Sequence, residues 1–105
     1  MRVISGKARG TKLNSIEDIL TRPTLDRVKE SLFNIIQSKI ENSVVLDLFA
    51  GSGAIGIEFI SRGCNKAYFC EKSHNSSKMI YQNLEKTKFL SQSVVIEKNY
   101  FKIKD

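Results

Sequence analysis

The stretch from Val44 to Glu58, VVLDLFAGSGAIGIE, constrains the fold of this chain more than any other. Residues 44–46 are an apolar, β-branched-rich run too short for a helix, which predicts a buried strand. Asp47 ends that run. Gly51, Gly53 and Gly56 follow as G-x-G-x-x-G, and an amphipathic helical pattern starts directly behind them. Glycines let the backbone turn sharply and approach a ligand closely, while the new helix presents N–H groups with no intrahelical acceptor. Strand, glycine turn and helix in that order predict a nucleotide-cofactor turn in an α/β sheet.

The rest of the chain extends the same alternation. Pro23 fixes a helix start, Thr24 is a candidate N-cap, and Asp26 sits in the first turn, where the helix dipole favours negative charge. Leu25, Val28, Leu32, Ile35, Ile36 and Ile40 recur at helical spacing, so the helix is expected to bury that stripe and run to about Lys39. After the glycine turn, Ile55, Phe59 and Ile60 mark the packed side of a short helix that Gly63 stops. Residues 67–70 read as a second strand. Ser73 caps a third helix carrying Met79, Ile80, Leu84 and Phe89, and residues 93–96 read as a third strand. His74, in the first turn of that third helix, is expected to be solvated.

The 105 residues form one small domain, with 41% hydrophobic residues, enough for a core. Seventeen Lys and Arg against eleven acids give a net charge of +6, which suits a polyanionic partner or simply a basic surface. Cys64 and Cys70 match no metal spacing, so no metal site is expected and the thiols read as semi-buried filler in a reduced, cytoplasmic protein. No signal peptide or membrane-length apolar run is present. Residues 1–16 hold no acid but carry Arg2, Lys7, Arg9 and Lys12. Two short strand-like segments flank Gly6-Lys7-Ala8-Arg9-Gly10, which predicts a β-hairpin whose basic turn is held open for contact. If all four cations met single-stranded phosphates, the log–log salt slope of binding would approach about −3. Residues 16–21 read as a linker, giving a basic hairpin and linker over 1–21 and a cofactor-binding half-domain over 22–105.

Two acids bear on the ligand. A pyrophosphate-binding turn avoids a carboxylate at its strand end, yet Asp47 stands four residues before Gly51, a placement suited to a cationic group such as an amino-acid ammonium. Glu71 ends the second strand, twenty residues after Gly51, placed to accept hydrogen bonds from both ribose hydroxyls. Asn99, just past the third strand, is placed to meet an adenine edge or is an ordinary loop residue. The order D-x-F-A-G-x-G resembles motif I of class I S-adenosylmethionine-dependent methyltransferases.

A more specific resemblance joins this motif to the helix before it. Arg22-Pro23-Thr24, Asp26-Arg27-Val28 and Leu32-Phe33-Asn34, followed by Leu46-Asp47-Leu48-Phe49-Ala50-Gly51-Ser52-Gly53-Ala54, Gly56 and Glu58, resemble the RsmD family of ribosomal RNA guanine-N2 methyltransferases. Ser61-Arg62-Gly63, Glu71 and the basic opening continue the likeness over essentially all 105 residues. The resemblance implies a Rossmann-like class I methyltransferase fold with an N-terminal hairpin, and S-adenosylmethionine as cofactor. It implies that Asp47, Phe49, Ala50, Gly51, Ser52, Gly53, Glu71 and Lys72 hold that cofactor, with Asn99 near its adenine. It places Arg22 and Thr24 close to the site and gives Arg2, Lys7, Arg9, Lys12 and Arg27 to RNA, in ribosomal RNA or a small-subunit assembly particle.

One departure is as informative as the matches. The family's chemistry uses an Asp- or Asn-Pro-Pro-aromatic tetrad after a fourth strand, and the only proline here is Pro23. No catalytic residue is therefore assigned. These residues supply only half of the family's sheet, so the strand at 44–46 is expected to be an exposed apolar edge inviting self-association. The isolated chain is expected to bind cofactor weakly and not to methylate RNA. Two other classes compete: a non-catalytic RNA-binding module, and a nucleotide-dependent oxidoreductase, against which Asp47 argues. A small-molecule methyltransferase would leave the basic hairpin without a purpose.

Overall fold

The computed structural model describes residues 2–15, 23–48 and 50–98, with the side chains of residues 23–26 left aside. Helix α1 (Pro23–Ile36) leads through a 3₁₀ turn (Gln37–Lys39) to strand β1 (Val44–Asp47). Helix α2 (Ala54–Ser61), strand β2 (Lys66–Glu71), helix α3 (His74–Thr87) and strand β3 (Ser93–Glu97) follow. The sheet is parallel in the order β1-β2-β3, with Asp47 opposite Phe69 and Glu71 opposite Glu97. Each crossover advances one strand, and right-handed connections of that kind lay α2 and α3 on the same face of the sheet. This is the N-terminal half of a Rossmann-like fold.

The core forms between those helices and that face. Ile57 and Ile60 of α2 meet Ala67 and Phe69 of β2 and Ile80 and Leu84 of α3, all essentially inaccessible to water. On the opposite face β1 is open: Val44 and Leu46 are 63% and 59% exposed. Burial raises the Cys64 thiol to about 11, its bond from the Lys66 N–H offsetting only part of the cost. Cys64 and Cys70 are both fully buried, not semi-buried.

The sequence reading misplaced the buried stripe of α1. Val28, Leu32 and Ile35 are 60%, 53% and 78% exposed, whereas Lys29, Phe33 and Ile40 are buried. Ile36 and Ile40 pack inward as expected, while the rest of the stripe is displaced by one residue onto Lys29 and Phe33. The reason lies on α2: the Phe33 ring packs edge-on against Phe59 at 4.7 Å and lies under the Arg62 guanidinium at 4.8 Å. Lys29 turns inward because a buried carboxylate, Glu58, awaits it at 3.1 Å. The regular helix also ends at Ile36, with the 3₁₀ turn covering the expected last residues to Lys39. On α2, Ile55 is 41% exposed, and Ile57 takes the inward place expected of it.

The N-terminal segment is a narrow loop closed by a single antiparallel bridge, Arg2 to Lys12, in place of a two-stranded hairpin. Its tip is not held open. Gly6 (φ +88°) lies so close to the Ser61 main chain that a Cβ would collide with the carbonyl, and the Lys7 N–H donates to that same carbonyl at 2.9 Å. The Ala8 N–H donates to Ser61 Oγ, which itself donates to the Ser5 carbonyl. Val3 and Leu13 enter the main core. The backbone of the arm is thus docked, while the side chains of Arg2, Lys7, Arg9 and Lys12 remain in solvent. The predicted linker, residues 16–21, lies outside the described residues.

Candidate cofactor site

Three segments meet at the C-terminal edge of the sheet: the end of β1, the turn 50–53, and the end of β2. Asp47, half-buried, closes β1. The buried Ala50 donates its N–H to the Cys70 carbonyl at 3.1 Å, so the turn is tied to β2 as it starts. Gly51 (φ +56°) and Gly53 (φ +83°) both adopt the left-handed conformation that side chains disfavour. Gly53 donates to the Ala50 carbonyl at 2.7 Å and serves as N-cap of α2 with no side chain bonded to the helix start. The positive end of the α2 dipole therefore faces the turn without a protein cap. Gly56, the third glycine, works through packing: a Cβ there would strike the Phe69 ring, so its absence sets the closeness of α2 to β2.

Glu71 binds the edges of this cleft together. Its Oε1 accepts the Gly51 N–H at 2.9 Å and its Oε2 accepts the Ser73 N–H at 3.0 Å. A carboxylate offers about four acceptor positions, so one on each oxygen remains for a further donor. Ser73, as expected, caps α3, accepting the Ser76 N–H at 3.3 Å. Cys70 lies beneath the cleft, its thiol pushed up by burial and then by the negative charge of Asp47. Lys72 is exposed beside Glu71.

Asp47, Ala50, Gly51, Ser52, Gly53 and Glu71 therefore share one cleft edge. Phe49, Arg22 and Asn99 lie outside the described residues, and Thr24 occupies the first turn of α1, with no description of its side chain. Arg27 is exposed on α1, and the four cations of the arm are exposed elsewhere on the surface. His74 is 73% exposed, with Nδ1 3.0 Å from Glu97 Oε1. No group of three or more His, Cys, Asp or Glu able to hold a metal occurs among the described residues, and none of their helices is long and apolar enough to cross a membrane.

Two buried polar residues behind the site escaped the sequence reading. Glu58 is wholly inaccessible and bonded on all sides: Lys29 at 3.1 Å, Arg62 Nε at 2.8 Å, and the N–H groups of Ile4 and Ser5. Burial alone would raise its carboxyl, but the Ile4 N–H, Arg62 and Lys29 together hold it below the ordinary carboxylate range. The available signal was an acid inside the apolar run of α2, since a charge there must be paired. Asn83, also inaccessible, donates through Nδ2 to the Ser52 carbonyl at 2.8 Å. Its signal was weaker: a polar residue within a helical apolar stripe.

Comparison with known proteins agrees with this fold. Ribosomal RNA small subunit methyltransferase D of Haemophilus influenzae is 40% identical over 96 residues, 91% of this chain and 50% of its own length. Its Escherichia coli K12 counterpart is 40% identical over 95 residues, 90% of this chain and 48% of its own. The solved structure of the protein yhhF from Escherichia coli superposes with a TM-score of 0.82 at 36% identity, covering 94% of this chain and 52% of that one. The chain spans about half the length of the curated relatives it matches. The family described as conserved hypothetical protein 95 matches residues 1–104. Glycine turn, strand-end acids, half-sheet and docked arm all lie within that match, and the chain belongs to this family, the one that includes the RsmD-type ribosomal RNA methyltransferases it resembles.

Proposed function

We propose that this chain carries the cofactor-binding half of an S-adenosylmethionine-dependent methyltransferase whose target is a guanine exocyclic amine, N2, in small-subunit ribosomal RNA. The observation that carries the reading is Glu71, which ties the glycine turn to the start of α3 and keeps an acceptor position free on each oxygen. Two vicinal ribose hydroxyls match that pair of positions. Asp47, at the end of β1, suits the ammonium of the cofactor's amino-acid part, and the uncapped α2 start suits its carboxylate. Bound cofactor would supply an electrophilic methyl group. These residues would hold and orient it: Asp47 by charge, Gly51 and Gly53 by close main-chain approach, and Glu71 by hydroxyl recognition, with Ser52 and Lys72 beside them; the family resemblance adds Phe49 and Asn99.

Arg2, Lys7, Arg9 and Lys12 extend from a docked backbone, an arrangement that offers cations to phosphates at little ordering cost. Arg27, exposed on α1, adds to them, and the family resemblance gives Arg22 and Thr24 a place close to the site. The acceptor tetrad that completes such a site is not among these 105 residues. A second copy of the chain can pair along the exposed β1 edge.

Thermal unfolding with increasing S-adenosylhomocysteine, and NAD as control, tests the reading. At a hundred times its dissociation constant, a ligand specific to the folded state adds about 2.7 kcal/mol. A melt raised by S-adenosylhomocysteine alone supports a methyltransferase half. A melt raised by NAD alone favours an oxidoreductase. A cooperative melt indifferent to both, with RNA binding lost on neutralising Lys7 and Arg9, favours a non-catalytic RNA-binding module.

A further inference from the structure

Asn83 stands at a junction that neither the cofactor turn nor the arm explains alone. Its carboxamide is fully buried. Oδ1 accepts the Asn14 N–H at 2.7 Å, and Nδ2 donates to the Asn14 carbonyl at 3.0 Å and to the Ser52 carbonyl at 2.8 Å. Both Nδ2 hydrogens are used, and the partners fix the amide orientation, since an N–H must face oxygen and two carbonyls must face nitrogen. All three bonds go to main chain, so Asn83 registers backbone position and not side-chain identity.

An aliphatic residue at position 83 would join Ile80 and Leu84 in the core with no desolvation penalty. The amide instead connects two segments, 69 and 31 residues away in sequence. One is the middle residue of the glycine turn. The other closes the basic arm, two residues after Lys12. Lys86 clamps the same place, donating from Nζ to the Lys12 carbonyl and to Asn14 Oδ1, both at 2.9 Å. No acid is among the Lys86 partners.

We propose that Asn83 is a positioning residue that couples the arm to the cofactor turn, so that a polyanionic RNA strand on the arm and a cofactor in the turn strengthen each other's binding. The identity of the two ligands rests on the function proposed above; the coupling rests on the three hydrogen bonds. A strand held by Lys12 and its neighbours stiffens residues 12–14, which holds the Asn83 amide in place and with it the Ser52 carbonyl. By linkage the effect is reciprocal, and a cofactor ordering the turn steadies the arm.

The test needs no ligand. In the 105-residue chain, amide hydrogen exchange is followed at Gly53, whose N–H donates within the turn, and at Phe69 in the core. Asn14→Pro removes the N–H that Asn83 accepts. It is expected to speed Gly53 exchange roughly tenfold, the scale of a lost buried hydrogen bond, and to leave Phe69 unmoved. Asn14→Ala keeps the main-chain partners and is expected to change Gly53 little. Asn83→Ser is expected to speed Gly53 exchange as well, with Asn14→Pro adding nothing further in that background, the non-additivity of a shared contact. An unmoved Gly53 in Asn14→Pro, or fully additive effects, would overturn the coupling. Equal acceleration at Gly53 and Phe69 would reduce Asn83 to a stability role and overturn it too. Should Asn83→Ser not melt cooperatively, the Asn14→Pro and Asn14→Ala pair decides alone. Failure of the unaltered chain to bind S-adenosylhomocysteine would remove the proposed function and leave this result standing.

Discussion

Two carboxylates of opposite setting do most of the work at the residue scale. Glu71 is half-buried, with one bond on each oxygen and acceptor capacity to spare; Glu58 is sealed and saturated. Substituting the first should therefore act on ligand, and the second on folding. Glu71→Ala is expected to weaken S-adenosylhomocysteine binding tenfold or more by calorimetric titration, since a charged acceptor bonded to a hydroxyl is worth about 1.5–3 kcal/mol. Glu71→Gln, which keeps one acceptor, should lose less. Glu58→Ala leaves Lys29 and Arg62 buried without their counter-charge and should cost roughly 3–5 kcal/mol in urea unfolding. The pH dependence follows from the lowered Glu58 pKa. Its ionised form stabilises the fold above the ordinary carboxyl value of 4.5, and that contribution fades as pH falls toward the lower folded value. Glu58→Gln should accordingly flatten the loss of stability as pH falls below 4.5, apart from its own offset.

At the scale of elements, α1 shows that an apolar stripe is not always the buried one. Phe33→Ala should cost about 3–5 kcal/mol, as expected for a large side chain removed from a filled core, while Leu32→Ala, next to it and half in water, should cost far less. Thermal melts of the two variants discriminate the stripes directly. The arm behaves as an element too, held by one bridge, by bonds to Ser61 and by the Ile4 and Ser5 N–H groups on Glu58. Gly6→Ala meets both a positive φ and the Ser61 carbonyl, so the tip must lift. Limited proteolysis should then cut within residues 5–10 faster than in the unaltered chain, with the β2 and α3 core still protected. Equal resistance would show that the arm is not held through Gly6.

Among the described residues, one face of the sheet is covered throughout and the other is bare along β1. Helices α2 and α3 cover the first, whereas Val44 and Leu46 leave the second apolar along the edge strand β1. An open edge of this kind pairs readily with another strand. Sedimentation velocity over a concentration series should show reversible association of the chain, and Leu46→Lys should suppress it. Because Leu46 is 59% exposed, the same substitution should move the stability by only about 0.5 kcal/mol. Association undiminished in Leu46→Lys would place the contact elsewhere.

Local signals determined the order of elements and the ingredients of the site. The β-branched run, the three glycines, the acids at two strand ends, the Ser73 cap and Gly63 after α2 each act within a few residues, where hydrogen-bond geometry and steric freedom decide the outcome. The family likeness supplied what those signals mean together. Only the tertiary structure decided which stripe of α1 is buried, because that depends on Glu58 and Phe59 across the interface and not on the apolarity of α1 itself. It also decided that the arm tip is docked and that Asn83 joins Asn14 to Ser52. Those are contacts between residues 26 to 69 positions apart, and a buried polar group finds its partner through three-dimensional proximity that no periodicity encodes.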